Sequence, residues 1–353
     1  MHSGEVIVYV AVPLSGERAE AGQSALGGAR LGAEEINRKG GLLGRRVVVR
    51  AMDDRSDSDA ALAIVREIGH AIERGERILG VIGHLDGGPA LSALPHYEEM
   101  DLVLITPGAG MRALTHFGYS SIFRVNANSS VQAAHSAQFL VDQLKAGRVA
   151  VVGASSEYGR ELADLMADSL SKLGVTPAVV LEVVEGQRDF PELAILVREA
   201  EADAVYFAGS ASEANSLNSS LKAANLNQPV LASDGAFLAS VTDGAASYPE
   251  GLYVSALAPS PERVAEVDWI ASYRAVVRRD PGPFSVNGYV AMQVLAAGVR
   301  GANSFEGRAV GQAIREFGAE TQFGPMRFSA NGDRMDARIW VYRVEEGELR
   351  QLD

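Results

Sequence analysis

A chain of 353 residues, 47% apolar and 22% charged, has material for two separate cores and the profile of a well-packed globular protein. Acidic residues outnumber basic ones 45 to 32, a formal net charge of −13, so nucleic acid and anionic membrane surfaces would repel it. The chain has no cysteine, which excludes disulfides, thiolate metal sites, iron–sulfur clusters and cysteine catalysis.

The start, Met1-His2-Ser3-Gly4-Glu5, carries neither a basic n-region nor an apolar h-region, and no run reaches the roughly 18 to 20 apolar residues that span a bilayer. The chain reads either as cytosolic or as an exported protein whose signal has been removed. Val6 to Val12 is a buried-strand candidate, followed by a loop from Pro13 to about Gln23. A helix then places Leu26, Ala29, Ala33 and Ile36 at three- and four-residue spacing and stops at Lys39-Gly40-Gly41. Val47-Val48-Val49 is the next strand, and Asp57 is the expected N-cap of a helix holding Ala61, Ile64, Val65 and Ile68. Strands are expected at Ile78–Ile82, Leu102–Ile105, Val149–Val152, Val179–Val184, Ala204–Phe207 and Val230-Leu231. Strands alternating with helical periods imply crossover units and parallel sheets buried on both faces: an α/β protein. From about Pro261 helices dominate to about Phe317, and strands return only at Arg338 to Val344. A late helical block predicts a chain that crosses back to an earlier lobe.

Catalytic signatures fail one by one. The loop after the first strand, Pro13-Leu14-Ser15-Gly16-Glu17-Arg18, has one glycine where a dinucleotide fingerprint needs three. Gly153-Ala154-Ser155-Ser156-Glu157 misses the last glycine of a nucleophile elbow. The six histidines (His2, His70, His84, His96, His116, His135) have no ligand spacing and are expected at the surface or structurally satisfied. Asp53 to Asp59 lacks the glycine and glutamate of a calcium loop, which leaves Asp57 as a cap and its neighbours as a solvated turn. No metal and no cofactor are expected. The informative segments are two glycine-rich turns at strand carboxyl ends, Gly83-His84-Leu85-Asp86-Gly87-Gly88-Pro89 and Thr106-Pro107-Gly108-Ala109-Gly110. Such turns admit a ligand to the backbone and aim N–H groups at an anion, at the edge where open α/β sheets bind ligands. Neither holds a nucleophile–base pair, so binding without chemistry is expected.

These residues resemble the leucine/isoleucine/valine-binding protein family, the solute receptors of bacterial branched-chain amino acid ABC transporters. The likeness runs essentially end to end. It rests on Pro13-Leu14-Ser15-Gly16, Gly28-Ala29-Arg30 through Glu35-Ile36-Asn37, Gly40-Gly41-Leu42-Leu43-Gly44 and Asp53-Asp54. It continues through Ile82-Gly83-His84-Leu85, Thr106-Pro107-Gly108-Ala109, Phe123-Arg124, Glu157-Tyr158-Gly159, Asp189-Phe190 and Phe323-Gly324-Pro325. The resemblance implies a type I periplasmic binding protein, with two Rossmann-like lobes joined by three crossings that close on a small ligand like a hinge. The expected lobes are 1–125 with 257–329, and 126–256 with 330–353. It further implies a carboxylate held at Asp86, Gly87, Gly88, Gly108, Ala109 and Gly110. An ammonium would be held at Asp234, with Tyr158 closing from the second lobe.

This chain departs from the family at telling places. The hydroxyls usual at the positions of Gly87 and Gly110 are absent, a roofing Trp falls on Ala21, and an expected tyrosine falls near Ser210 and Ala211. Asp86 stands where close relatives often carry a disulfide cysteine. A hydrogen bond to a charged group contributes roughly 1.5–3 kcal/mol, so two lost hydroxyls would weaken carboxylate capture unless other groups substitute. The expected function is an extracytoplasmic solute-binding receptor of an ABC importer, not an enzyme, taking a small polar metabolite such as an amino acid or related carboxylate or amide. The expected partners are that ligand and a membrane permease, with no nucleic acid. The protein is expected to be monomeric and periplasmic or extracellular, with membrane anchoring through a removed N-terminal segment left open. The alternative is a ligand-sensing module working with a separate signalling partner.

Overall fold

The computed structural model describes residues 4–238 and 248–352, so His2 lies outside the described residues. The chain divides into two compact units and passes from one to the other three times: unit 1 is Met1–Asn128 with Ala258–Arg338, and unit 2 is Ser129–Leu257 with Ile339–Asp353.

In chain order unit 1 begins with β1 (Glu5–Val12), α1 (Ala19–Arg38), β2 (Arg46–Asp53), α2 (Ser58–Glu73) and β3 (Ile78–Gly83). It continues with α3 (Gly87–Glu99), β4 (Val103–Thr106), α4 (Ala113–His116) and β5 (Ile122–Arg124). The five strands form one parallel sheet in the order β2-β1-β3-β4-β5. β1, β3 and β4 are almost wholly buried because helices cover both faces, which is why they are continuous apolar runs. The Asp57 side chain accepts from the Ala60 N–H at 2.8 Å, as expected of the α2 N-cap. α1 starts at Ala19, earlier than the sequence predicted: its N-cap is Arg18, which makes no side-chain capping bond and so leaves no Ser/Thr/Asp/Asn signal.

Unit 2 opens with α5 (Ser129–Asp142), β6 (Val149–Ala154), α6 (Glu157–Lys172), β7 (Val179–Val183) and α7 (Pro191–Glu199). β8 (Ala204–Ala208), α8 (Ala211–Ala223), β9 (Val230–Ala232), a 3-10 turn over Asp234–Ala236 and β10 (Tyr253–Ala256) follow. The chain then returns to unit 1 through α9 (Pro261–Val264), α10 (Val267–Val277), α11 (Phe284–Ala302) and α12 (Gly307–Phe317). β11 (Ala319–Thr321) and β12 (Gly324–Met326) form a small antiparallel hairpin, so strands resume sooner than predicted. Last come β13 (Trp340–Glu345) and β14 (Glu348–Gln351) in unit 2.

The unit 2 sheet runs β14-β13-β10-β9-β8-β6-β7. Its strands β6 to β10 are parallel, as expected, and β13 and β14 extend the sheet at one edge as antiparallel additions. The two strands are joined by Glu346-Gly347, both at positive φ (54° and 77°), the geometry of a tight hairpin turn without its usual Asn-Gly signature.

The site-bearing edge of unit 1 is set by one close crossing. α1 packs along α11, and a Cβ on Gly28 would lie 1.8 Å from the Ser285 carbonyl oxygen. That glycine lets α11 approach until its first residue, Phe284, stands beside Arg18, whose guanidinium is 6.0 Å from the ring centroid. Three residues on, the Asn287 amide donates to the Pro107 carbonyl at 2.8 Å and ties α11 to the turn after β4.

Candidate functional site

In unit 1 the predicted glycine turns lie where expected, at the carboxyl ends of β3 and β4. Asp86 is the N-cap residue of α3, yet its side chain makes no capping bond. It turns instead toward Arg18, whose Nη2 is 3.5 Å from Asp86 Oδ1. The N–H groups of Gly87 and Gly88 consequently have no protein acceptor among the described residues, and both sit at the positive end of a 13-residue helix. The second carboxylate oxygen, Oδ2, is buried with no hydrogen-bond partner among the described residues. Arg18 is the cationic group here, its side chain only 9% exposed.

The second turn is organised internally. Thr106 Oγ1 accepts from the Gly108 and Ala109 N–H groups at 3.2 and 2.8 Å and donates to the His84 carbonyl at 2.7 Å. Two of the three amides expected to face a ligand are therefore engaged within the loop, and Gly108 and Ala109 are buried. Gly110 is half-buried beside them. A fully buried Arg124 holds the loop from beneath, donating to the Ala109 carbonyl at 2.8 Å, the Met111 carbonyl at 3.1 Å, Thr115 Oγ1 at 3.1 Å and Asp333 Oδ1 at 2.7 Å.

Below the first turn, His84 is fully buried between Asp54 (Nδ1 to Oδ2, 2.6 Å) and the Tyr97 hydroxyl (Nε2, 3.2 Å). His84 is thus structurally satisfied, as expected, but Asp54 is no part of a solvated turn. Its burial follows from this pairing, since a buried carboxylate needs a partner. Burial, then the Asp54 charge, pushes the Tyr97 phenol up above its ordinary value.

In unit 2 Asp234 and Tyr158 are together. The Tyr158 hydroxyl donates to Asp234 Oδ1 at 2.6 Å, lies 2.8 Å from Ser233 Oγ, and accepts from the Gly235 N–H at 2.9 Å. Gln132, fully buried on α5, donates its amide to Asp234 Oδ1 at 2.9 Å and lies 3.0 Å from Ser255 Oγ. Burial first, and then the Asp234 carboxylate, hold the Tyr158 phenol well above 10. Tyr206, on β8, is raised for the same two reasons, and its buried hydroxyl has no partner among the described residues. Ser210 stands apart in role. Its hydroxyl accepts from the Glu213 N–H while Glu213 accepts from the Ser210 N–H, a capping box that starts α8.

Sequence reasoning missed Arg18, Thr106, Arg124, Gln132 and Phe284. Arg18 lay inside a quoted loop, and a cation two residues after its only glycine was a usable signal. Gln132 had none, since its partner is 102 positions away.

A model of the family described as periplasmic binding protein matches residues 7–348. A Leu/Ile/Val-binding protein of Rhizobium johnstonii is 28% identical, over 98% of this chain and 93% of its own. An amino acid binding protein of Pseudomonas aeruginosa is 26% identical, over 99% and 92%. The crystal structure of a leucine binding protein from Thermotoga maritima shares the fold, with a TM-score of 0.83 at 23% identity, over 99% of this chain and 98% of that one. Matched over all but a few residues at either end, the chain belongs to the periplasmic binding protein family.

Proposed function

We propose that this protein is the solute receptor of an ABC importer, capturing a small amino acid or related carboxylate or amide by hinge closure and delivering it to a membrane permease. The observation that carries the reading is the start of α3: two backbone N–H groups without protein acceptors among the described residues, at a helix N-terminus, next to a largely buried arginine. Such an arrangement stabilises a bound anionic group. Asp86, Gly87, Gly88 and Gly110 are the unit 1 ligand residues in this reading, with Gly108 and Ala109 shaping the turn. Tyr158 and Asp234 are those of unit 2, with Ser210 contributing through the position of α8. The relatives' names support an amino acid as ligand, and the family supports a periplasmic location. No helix among the described residues is long and apolar enough to cross a membrane. The ligand shifts an open–closed equilibrium by its extra affinity for the closed form. Calorimetry of the folded protein against amino acids, simple carboxylates and amides tests the reading. Binding of a member of one class without turnover is expected, and absence of heat from every class would overturn it.

A further inference from the structure

We propose that unit 2 binds a resident water molecule between Gln132 Oε1, Ser136 Oγ and the Tyr206 hydroxyl, and that this water fixes the Gln132 amide with its N–H toward Asp234. All the residues concerned belong to unit 2, and the site stands whatever ligand the receptor takes.

The three side chains are fully buried, and each carries a polar atom with no hydrogen-bond partner among the described residues. Gln132 and Ser136 lie one turn apart on the buried face of α5, a spacing that brings Cβ atoms to about 5–6 Å. Tyr206 meets that face from the sheet. Its register partner is Leu231, whose own partner is Tyr253, so the three form one row across β8, β9 and β10. Alternation along β10 then sets Ser255, two residues past Tyr253, on the same face. Gln132 Nε2 stands 3.0 Å from Ser255 Oγ, so α5 lies over this row, and Tyr206 packs in one core cluster with Ala137 and Leu140 of α5. The polar ends converge on Asp234. Its carboxylate accepts from Gln132 at 2.9 Å, and its charge, after burial, raises the Tyr206 phenol.

Buried polar atoms that miss a protein partner are met by ordered water, which makes about three hydrogen bonds at such sites. The donors and acceptors match that number. Burial and Asp234 keep the Tyr206 phenol protonated, so it donates to the water oxygen, as does the Ser136 hydroxyl. The water in turn donates to Gln132 Oε1, an acceptor only. That last bond chooses between the two orientations of the amide. With Nε2 toward Asp234 and Ser255 and Oε1 toward the water, every contact pairs a donor with an acceptor. Turned over, the amide would aim its oxygen at the Asp234 carboxylate. The water therefore acts on Asp234 through Gln132, as a positioning group.

A crystal structure of the full chain, at a resolution that shows ordered water, tests the site. Water density within about 2.5–3.0 Å of Gln132 Oε1 and of at least one of the two hydroxyls is expected. Absence of that density, or a direct bond between the Tyr206 hydroxyl and Gln132 or Ser136, overturns the proposal. In solution, Tyr206→Phe and Ser136→Ala are each expected to lower the urea midpoint, and the double variant to lower it by less than the two shifts added, because either change dislodges the same water. Strict additivity would show that the hydroxyls share no partner. The positioning role has its own readout. The side-chain amide protons of Gln132, assigned by their loss in Gln132→Met, are expected to exchange with solvent about tenfold faster in Tyr206→Phe. Unchanged exchange overturns that role. Should a variant fail to fold, the wild-type crystal structure still decides. None of these readouts needs a ligand, so their failure leaves the receptor reading standing.

Discussion

Replacing Arg124 by methionine removes a fully buried side chain that ties the β4 turn to Asp333, in the returning part of unit 1. The substitution keeps the aliphatic stem but deletes four hydrogen bonds, to the Ala109 and Met111 carbonyls, Thr115 and Asp333. Breaking a buried ion pair from one side costs about 3–5 kcal/mol. Asp333 keeps Thr115 at 3.2 Å and Asn128 at 3.1 Å, and its side chain is 16% exposed, so the lower end, about 3 kcal/mol, is expected. With a urea slope of about 2–3 kcal/mol per molar, the midpoint for unit 1 falls by about 1–1.5 M. The two tryptophans allow this to be read separately, since Trp269 lies in unit 1 and Trp340 in unit 2. In a Trp340→Phe background the fluorescence transition of Trp269 shifts, and in a Trp269→Phe background that of Trp340 stays. A shift below about 0.3 M in the first, or an equal shift in both, would show that Arg124 is not the anchor argued here.

Two further outcomes follow from the packing and the phenols. Gly108→Ala places a Cβ 2.8 Å from Leu85 Cδ2 and 3.2 Å from Phe284 Cε1, so about 1–3 kcal/mol of stability is lost. Gly88→Ala, which meets only Ser58 Oγ at 3.6 Å, should leave the melting temperature almost unmoved; equal losses from the two would refute the packing account. Burial, then the charges of Asp54 and Asp234 respectively, raises the Tyr97 and Tyr206 phenols above the unfolded value of 10. Above about pH 10 the unfolded chain therefore releases protons that the folded one keeps. Stability is intact below that pH and falls above it by up to about 1.4 kcal/mol per pH unit for each phenol, in both units, as urea titrations from pH 8 to 11 would show. A midpoint constant across that range would contradict the sign.

What the sequence made legible has a physical pattern. β1, β6 and β8 were readable because a strand covered on both faces must be apolar throughout, and α2 because Asp57 announces its own cap. β10 was missed because its run is broken by Ser255, a polar residue that is fully buried and whose hydroxyl meets Gln132 and the Ala232 carbonyl. β13 and β14 were half-read because Glu346-Gly347 adopts a hairpin turn without the residues that usually advertise one. The site divides in the same way. Its glycines were visible as types, whereas the partners that decide what those glycines do (Thr106 within the turn, Arg124 beneath it) depend on directions that only the folded chain supplies.

Gly87 shows why a missing hydroxyl is not simply a loss. A Cβ at this position would lie 2.3 Å from Met111 Sδ and 2.5 Å from its Cγ, so the thioether already occupies the space a serine side chain would need. Met111 is buried, and its carbonyl is one of the four acceptors of Arg124, which fixes the segment from which that side chain projects. The glycine at 87 and the methionine at 111 are therefore one packing solution: an apolar wall where a serine side chain would stand. Restoring serine at 87 alone would crowd that wall rather than rebuild a carboxylate contact.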